Sequence, residues 1–238
     1  MSETVNSLND VPAMILAGGL GTRLRSVVSG QPKVLAEVNG RPYLSYLLDQ
    51  LSGAGVRDVV FCSGYLGDHL EQAFGSEYRG LRLSYSREPA PLGTAGALRL
   101  ASEKVRPGLV LVLNGDSYID VDLKAFLAFH LRKQSSMSMV LAEVPDTRRF
   151  GRVQLGSGEQ ITFFEDKGSH IGPGLINAGV YLLDTKTLES IPTGRAVSIE
   201  KEVFPAMVGQ GLSGYVCRGK FIDIGTPETY ADAQAFFA

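Results

Sequence analysis

Leu109-Val110-Leu111-Val112-Leu113 is apolar at every position, and Asn114-Gly115-Asp116 follows it at once. A strand that hides one face alternates apolar and polar residues, so a continuous apolar run calls for cover on both faces. Upstream, short β-branched runs alternate with amphipathic stretches. Ala13–Leu16, Asp58–Cys62 and Leu81–Tyr85 read as further strands. Helices are expected over Arg41–Ala54, Leu66–Phe74 and Thr94–Lys104, the first with Pro42 near its start and Gly53 and Gly55 at its close. Strands that alternate with helices build an α/β fold, here a Rossmann-like sheet covered on both sides. Ligands of such sheets lie beyond the carboxyl ends of the strands. The glycine turn after Leu16 and the turn Asn114-Gly115-Asp116 are both expected there.

From Met137 onward the pattern becomes strand-rich. Strands are expected over Met137–Val144, Arg152–Leu155, Ile161–Glu165, Gly179–Leu183, Ser213–Val216 and Phe221–Ile224. Helices are expected over Ser198–Met207 and Thr226–Phe236, the second capped by Thr226 with Pro227 in its first position. No repeat, low-complexity tract or long linker interrupts the chain. The reading is one domain over residues 1–238, with one lobe over 1–136 and a strand-rich lobe over 137–238.

The 238 residues are 44% hydrophobic and 20% charged, as in an ordinary globular enzyme, and the formal net charge is -2. That balance gives no basic field for nucleic acid or an anionic membrane, so neither is expected as a partner. Cys62 and Cys217 are far apart and outside any CxxC pattern, which favours free thiols. His69, His130 and His170 have no zinc-ligand spacing. Met1–Asp10 lacks the basic and apolar regions of a signal peptide, and no apolar run matches a bilayer. A cytoplasmic chain is expected, and a homo-oligomer is compatible with the sequence.

The turn after the first strand reads Leu16-Ala17-Gly18-Gly19-Leu20-Gly21-Thr22-Arg23. Its glycines let backbone N–H groups approach phosphate oxygens without a Cβ in the way. No Gly-Lys-Ser/Thr follows, so it is not a P-loop, and Leu24 replaces the third glycine of a dinucleotide fingerprint. Arg23 beside the loop and Lys33 after Gln31-Pro32 supply cations suited to a triphosphate whose leaving group gathers charge. Asp223, between Ile222 and Ile224, is a carboxylate in an apolar strand and needs a partner if buried. Asp120-Val121-Asp122 has the form of a DxD metal motif, but Asp122 is better placed as the N-cap of a helix over Leu123–Arg132.

Ala17-Gly18-Gly19-Leu20-Gly21-Thr22-Arg23 with Pro32-Lys33 resembles the signature of the nucleotidyltransferases that join a sugar 1-phosphate to a nucleoside triphosphate. Four further anchors extend the resemblance over nearly the whole chain. They are Glu88 with Pro91-Leu92-Gly93-Thr94-Ala95-Gly96, Asn114-Gly115-Asp116, Glu165-Asp166-Lys167, and Phe221-Ile222-Asp223-Ile224-Gly225-Thr226-Pro227-Glu228. The resemblance implies a GT-A-like mixed sheet whose second lobe binds the sugar phosphate. It implies Mg²⁺ on Asp116 and Asp223, Arg23 facing the departing pyrophosphate, Lys33 the α-phosphate and Lys167 the sugar phosphate. Nucleotide contacts would come from Leu16, Ala17, Gly18, Gly19, Gly21, Thr22, Glu88, Gly93, Thr94, Asn114 and Gly115. Sugar contacts would come from Gly151, Glu165 and Asn177.

Glu88 is the residue at which base choice is read. An ionised carboxylate only accepts hydrogen bonds, and guanine offers adjacent N1–H and N2–H donors, so GTP is favoured. Among sugars, Gln31-Pro32-Lys33, Phe150-Gly151-Arg152, Ser198–Phe204 and Phe221–Gly225 most resemble guanylyltransferases of D-glycero-α-D-manno-heptose 1-phosphate. Mannose-1-phosphate guanylyltransferase and N-acetylmuramate-1-phosphate uridylyltransferase are the nearest alternatives, and a DxD glycosyltransferase the alternative from another class. The chain ends at Ala238 without a hexapeptide-repeat extension.

Overall fold

A computed structural model describes residues 7–19, 31–64 and 67–238. Its first half contains β1 (Ala13–Leu16), β2 (Glu37–Val38), β3 (Arg41–Pro42), α1 (Leu44–Ala54), β4 (Asp58–Ser63), α2 (Gly67–Phe74), β5 (Glu77–Tyr78), β6 (Leu81–Arg87), α3 (Gly93–Ser102), β7 (Leu109–Asn114), β8 (Ser117–Ile119) and α4 (Leu123–Lys133). The second half contains β9 (Met137–Val144), β10 (Arg152–Leu155), β11 (Ile161–Phe164), β12 (Gly174–Asp184), α5 (Thr185–Glu189), α6 (Phe204–Met207), β13 (Leu212–Cys217), β14 (Phe221–Asp223) and α7 (Pro227–Phe236).

The main sheet runs β11-β10-β12-β7-β1-β4-β6-β5, with β9 on β12 and β13 on β9. Strands β7, β1, β4 and β6 are mutually parallel, and β12 joins β7 antiparallel. The sheet is therefore mixed and flanked by helices, as the apolar run 109–113 requires. Val110 and Val112 pack into one apolar layer with α3, whereas Leu111 and Leu113 pack into the other with α1 and α4. All four are essentially buried. Each such side chain contributes about 1.5–3 kcal/mol through loss of hydrated apolar surface.

Several boundaries differ from the sequence expectation. The helix expected from Arg41 starts at Leu44, because Arg41–Pro42 pairs with Glu37–Val38 across Asn39-Gly40. Both turn residues have positive φ (48° and 74°), the geometry that Asn-Gly favours in a two-residue hairpin. Gly55, at φ 95°, closes α1 as expected. The third helix runs from Gly93 to Ser102, not Thr94 to Lys104, and Ser102 Oγ donates to the Arg99 carbonyl at its end. Leu66 lies outside the described residues.

The segment expected as one helix over 198–207 is divided. Ser198 caps a π-helical turn over Ile199–Val203, in which Phe204 N–H reaches back to the Ile199 carbonyl. Pro205 has no N–H to continue the ladder, and a short α6 follows. Asp122 caps α4, accepting from Lys124 N–H and Ala125 N–H, and Thr226 caps α7 with Pro227 next. No helix among the described residues is long and apolar enough to cross a membrane.

Strand β12 is longer than the expected Gly179–Leu183. Its first part lies between β10 and β9, and its second between β7 and β9. The register on β9 shifts between Asn177 and Tyr181, where Gly179 has φ 80°. A Cβ on Gly179 would stand 2.5 Å from Ser117 Oγ and 2.9 Å from Asn114 Cβ. The bulge therefore presses the second-half strand against the Asn114–Ser117 turn.

His130 of α4 is buried and pairs with Ser138 Oγ of β9 at 2.8 Å. Burial pushes its pKa down to about 4 from an ordinary value of 6.5. The unfolded chain thus binds this proton more readily. The stability held by neutral His130 is complete above pH 6.5 and is lost as pH falls toward 4. Replacing His130 with Asn is expected to flatten that part of the profile of denaturation midpoint against pH. The wild-type drop attributable to this group is ~3 kcal/mol at most.

Candidate active site

Leu16 of β1 is level with Cys62 of β4 and Asn114 of β7, so the segments after these strands emerge side by side. Gly18 lies against the segment after β4: a Cβ there would stand 2.9 Å from Gly64 N and 3.0 Å from Glu88 Oε1. Ala17 N–H donates to the Cys62 carbonyl, and Gly115 N–H to the Leu16 carbonyl, both at 2.9 Å. Gly115 has no room for a side chain either, because a Cβ would meet Leu16 O at 2.7 Å. Gly19 is exposed, with open space around it among the described residues. Gly21, Thr22 and Arg23 lie outside the described residues.

Glu88 is half-buried beneath this glycine turn. Its Oε2 accepts from Leu92 N–H at 2.7 Å, leaving Oε1 beside Gly18. Burial raises its pKa, opposed by the Leu92 hydrogen bond. Gly93 and Thr94, expected at the nucleotide, stand at a seam with the second half of the chain. Gly93 has φ 71°, and a Cβ would stand 2.5 Å from the Val197 carbonyl. Thr94 Oγ1 accepts from Ile199 N–H at 2.9 Å, and Ala95 N–H and Val197 N–H complete the seam to Val197 and Leu92. These two residues staple α3 to the second half of the chain.

Asp116 and Asp223, distant in sequence, become neighbours through a small sheet. β8 and β14 pair antiparallel with Asp223 opposite Ser117, and Ile224 N–H donates to the Asp116 carbonyl at 2.9 Å. The strand closes at Asp223, one residue before its expected end. Each carboxylate has a cation of its own. Lys33 Nζ is 2.8 Å from Asp116 Oδ2, with Lys33 12% and Asp116 50% exposed at the side chain. Arg149 Nη2 is 3.1 Å from both oxygens of Asp223, which also accepts from Gly225 N–H at 2.7 Å and from Thr229 Oγ1 at 3.3 Å.

The Tyr43 hydroxyl is fully buried and has no hydrogen-bond partner among the described residues. Its pKa is raised well above the ordinary value, first by burial and then by Asp116 and Asp223. It thus lies within electrostatic range of the carboxylate pair. Neither Tyr43 nor Arg149 stood out in the sequence. The only signal for Arg149 is the Arg148-Arg149 doublet before Phe150-Gly151.

On the second-half side, Asn177 Oδ1 accepts from Gly179 N–H at 2.9 Å and its Nδ2 donates to the Tyr181 hydroxyl at 2.8 Å. Two hydrogen bonds thus hold the Asn177 amide at the bulge. Glu165 accepts from Gln154 Nε2 at 2.6 Å and lies 3.5 Å from Arg152 Nη1. Lys167 is exposed in the turn after β11. Gly151, expected at the sugar, stands where a Cβ would approach the Glu165 carbonyl to 2.6 Å. The close approach there is between neighbouring segments of the chain.

These side chains offer hard oxygen donors from two aspartates. No group of three or more His, Cys, Asp or Glu residues among those described could hold a metal by itself. An ion held by only two carboxylates completes its shell with substrate oxygens and water, which suits Mg²⁺. The ammonium and guanidinium already resting on the pair mark it as a place that accepts positive charge.

The Nucleotidyl transferase family model matches residues 12–238. The D-glycero-alpha-D-manno-heptose 1-phosphate guanylyltransferase of Aneurinibacillus thermoaerophilus is 34% identical over 223 residues, covering 93% of this chain and 96% of that protein. The mannose-1-phosphate guanylyltransferase of Mycobacterium tuberculosis is 35% identical over 231 residues, covering 95% of this chain but only 64% of that longer protein. The crystal structure of HddC from Yersinia pseudotuberculosis complexed with GMP-PN superposes with a TM-score of 0.85 at 32% identity, covering 96% of this chain and all of that one. With the glycine turn, the carboxylate pair and the sheet that joins them accounted for in one match, the chain belongs to the nucleotidyl transferase family.

Proposed function

We propose that this protein is a sugar-1-phosphate guanylyltransferase that moves GMP from GTP to D-glycero-α-D-manno-heptose 1-phosphate and releases pyrophosphate. The observation that carries the reading is the Lys33–Asp116 and Arg149–Asp223 cluster, joined by the Ile224–Asp116 hydrogen bond beside the glycine turn. A phosphate oxygen of the sugar 1-phosphate attacks the α-phosphorus. The bond from that phosphorus to the bridging oxygen of the β-phosphate breaks, and pyrophosphate leaves with the electron pair. No protein nucleophile is needed, so the chain contributes position and charge.

In this reading Asp116 and Asp223 hold Mg²⁺, which when bound neutralises phosphate charge. Lys33 faces the α-phosphate, Arg23 the pyrophosphate and Lys167 the sugar phosphate. The glycine turn from Leu16 to Thr22, with Asn114 and Gly115, receives the nucleotide. Residues 1–136 serve the nucleotide and 137–238 the sugar within one working domain, and the Gly179 bulge, which packs against Asn114 and Ser117, supports that division. In this reading Glu88 accepts from guanine through Oε1, which lies beside Gly18 while Oε2 is held by Leu92.

A mannose-1-phosphate guanylyltransferase is the second reading, favoured by the 35% identity to the mycobacterial relative. The DxD glycosyltransferase reading loses its second carboxylate, because Asp122 is committed to capping α4. A pyrophosphate-release assay over GTP, UTP, dTTP, ATP and CTP against a panel of sugar phosphates tests the proposal. GTP with the heptose 1-phosphate is expected to turn over fastest, and faster turnover with UTP would overturn the role given to Glu88. Glu88→Gln should reduce the GTP-over-UTP preference about tenfold or more, the scale of one recognition hydrogen bond. Asp223→Asn should lower turnover at least ~10²-fold, as loss of one charge-stabilising group does elsewhere. Its thermal midpoint should change little, and near-normal rates with Mg²⁺ would remove Asp223 from the metal site.

A further inference from the structure

Arg149 is held in a way that an ordinary surface arginine is not. Its guanidinium lies over the Phe150 ring at 5.3 Å, and that ring meets Phe221 edge-on at 5.8 Å, two residues before Asp223 on β14. The stack fixes the plane of the group, and Nη2 spans both oxygens of Asp223 at 3.1 Å. One nitrogen is thus committed to Asp223. Arg149 is 47% exposed, so its remaining N–H donors can meet an anion from solvent. Asp223 itself is only 15% exposed, so what pairs with it is felt strongly.

Lys33 does for Asp116 what Arg149 does for Asp223. The two carboxylates and two cations sum to zero charge. A divalent cation entering this quartet meets two positive charges already on the oxygens it needs. A triphosphate and a sugar phosphate change the balance, because their oxygens give Lys33 and Arg149 alternative partners.

Resting on the reading under Proposed function, we propose that Arg149 is the resident counter-ion of Asp223, exchanged between carboxylate and substrate. In the free protein it occupies Asp223 and opposes divalent-cation binding. When the sugar 1-phosphate arrives, the guanidinium passes to that phosphate and the carboxylate is released to the metal. The exchange moves charge without breaking a covalent bond. It makes metal occupancy conditional on substrate.

Mn²⁺ titration of the full chain without substrates, followed by the loss of the free-ion electron paramagnetic resonance signal, tests the first half. Arg149→Ala is expected to bind Mn²⁺ about tenfold more tightly than wild type, as fits removal of a close charged partner, and Arg149→Lys to stay near wild type. Unchanged or weaker Mn²⁺ binding by Arg149→Ala overturns the proposal whatever the kinetics. Steady-state kinetics test the second half: Arg149→Ala should raise KM for the sugar 1-phosphate about tenfold and leave KM for GTP within about twofold. A rise confined to GTP overturns the assignment to the sugar phosphate. If the wild-type protein transfers no nucleotide to any sugar phosphate, the functional reading fails and the exchange onto sugar phosphate falls with it, while the Mn²⁺ titration still decides whether Arg149 guards Asp223.

Discussion

The antiparallel pairing of β8 with β14, extended by the hydrogen bond from Ile224 N–H to the Asp116 carbonyl, is the constraint on which the site depends. It brings a carboxylate from the end of the parallel sheet beside one from near the C-terminus. Backbone hydrogen bonds fix this spacing more tightly than side-chain contacts alone could, since a ladder leaves few soft torsions. The following segment reinforces it: Gly225 N–H and Thr229 Oγ1 both donate to Asp223, and Thr226 caps the helix that starts there.

The electrostatics follow from that geometry. A chain with net charge -2 has no global field to gather phosphates, so the work falls to local pairs. Lys33 is mostly buried and Arg149 is stacked on Phe150, and each is held by a carboxylate that could also ligate a metal. Cations kept in place by carboxylates are preorganised for phosphate, because little side-chain freedom remains to be lost on binding. The buried Tyr43 hydroxyl, without a partner among the described residues, feels the charge of the same pair. A buried polar group left unsatisfied is costly.

Glycine carried two meanings in this sequence, and only contacts separate them. Gly19 has open space around it among the described residues, whereas a Cβ on Gly18 would strike Gly64 N and Glu88 Oε1. Gly93, Gly151 and Gly179 sit where a Cβ would strike Val197, Glu165 or Ser117 and Asn114. These three let one part of the chain pack on another. A glycine motif read along the chain cannot show whether the space it leaves is filled by ligand or by backbone.

The sequence by itself determined the layered α/β architecture, because a run such as Leu109–Leu113 can only be buried on both faces, and periodicity is a local property. It also determined the caps at Asp122 and Thr226, which depend on residues a few positions apart. It singled out Lys33, Asp116 and Asp223 through their motifs. Tertiary structure alone decided that Asp116 pairs with Lys33 and Asp223 with Arg149, and that Tyr43 is buried within electrostatic range of both carboxylates. It also decided that Thr94 answers Ile199. Those partners come from distant segments, and a pairing set by the register of two strands or the bulge of a third leaves no trace in the spacing of either partner.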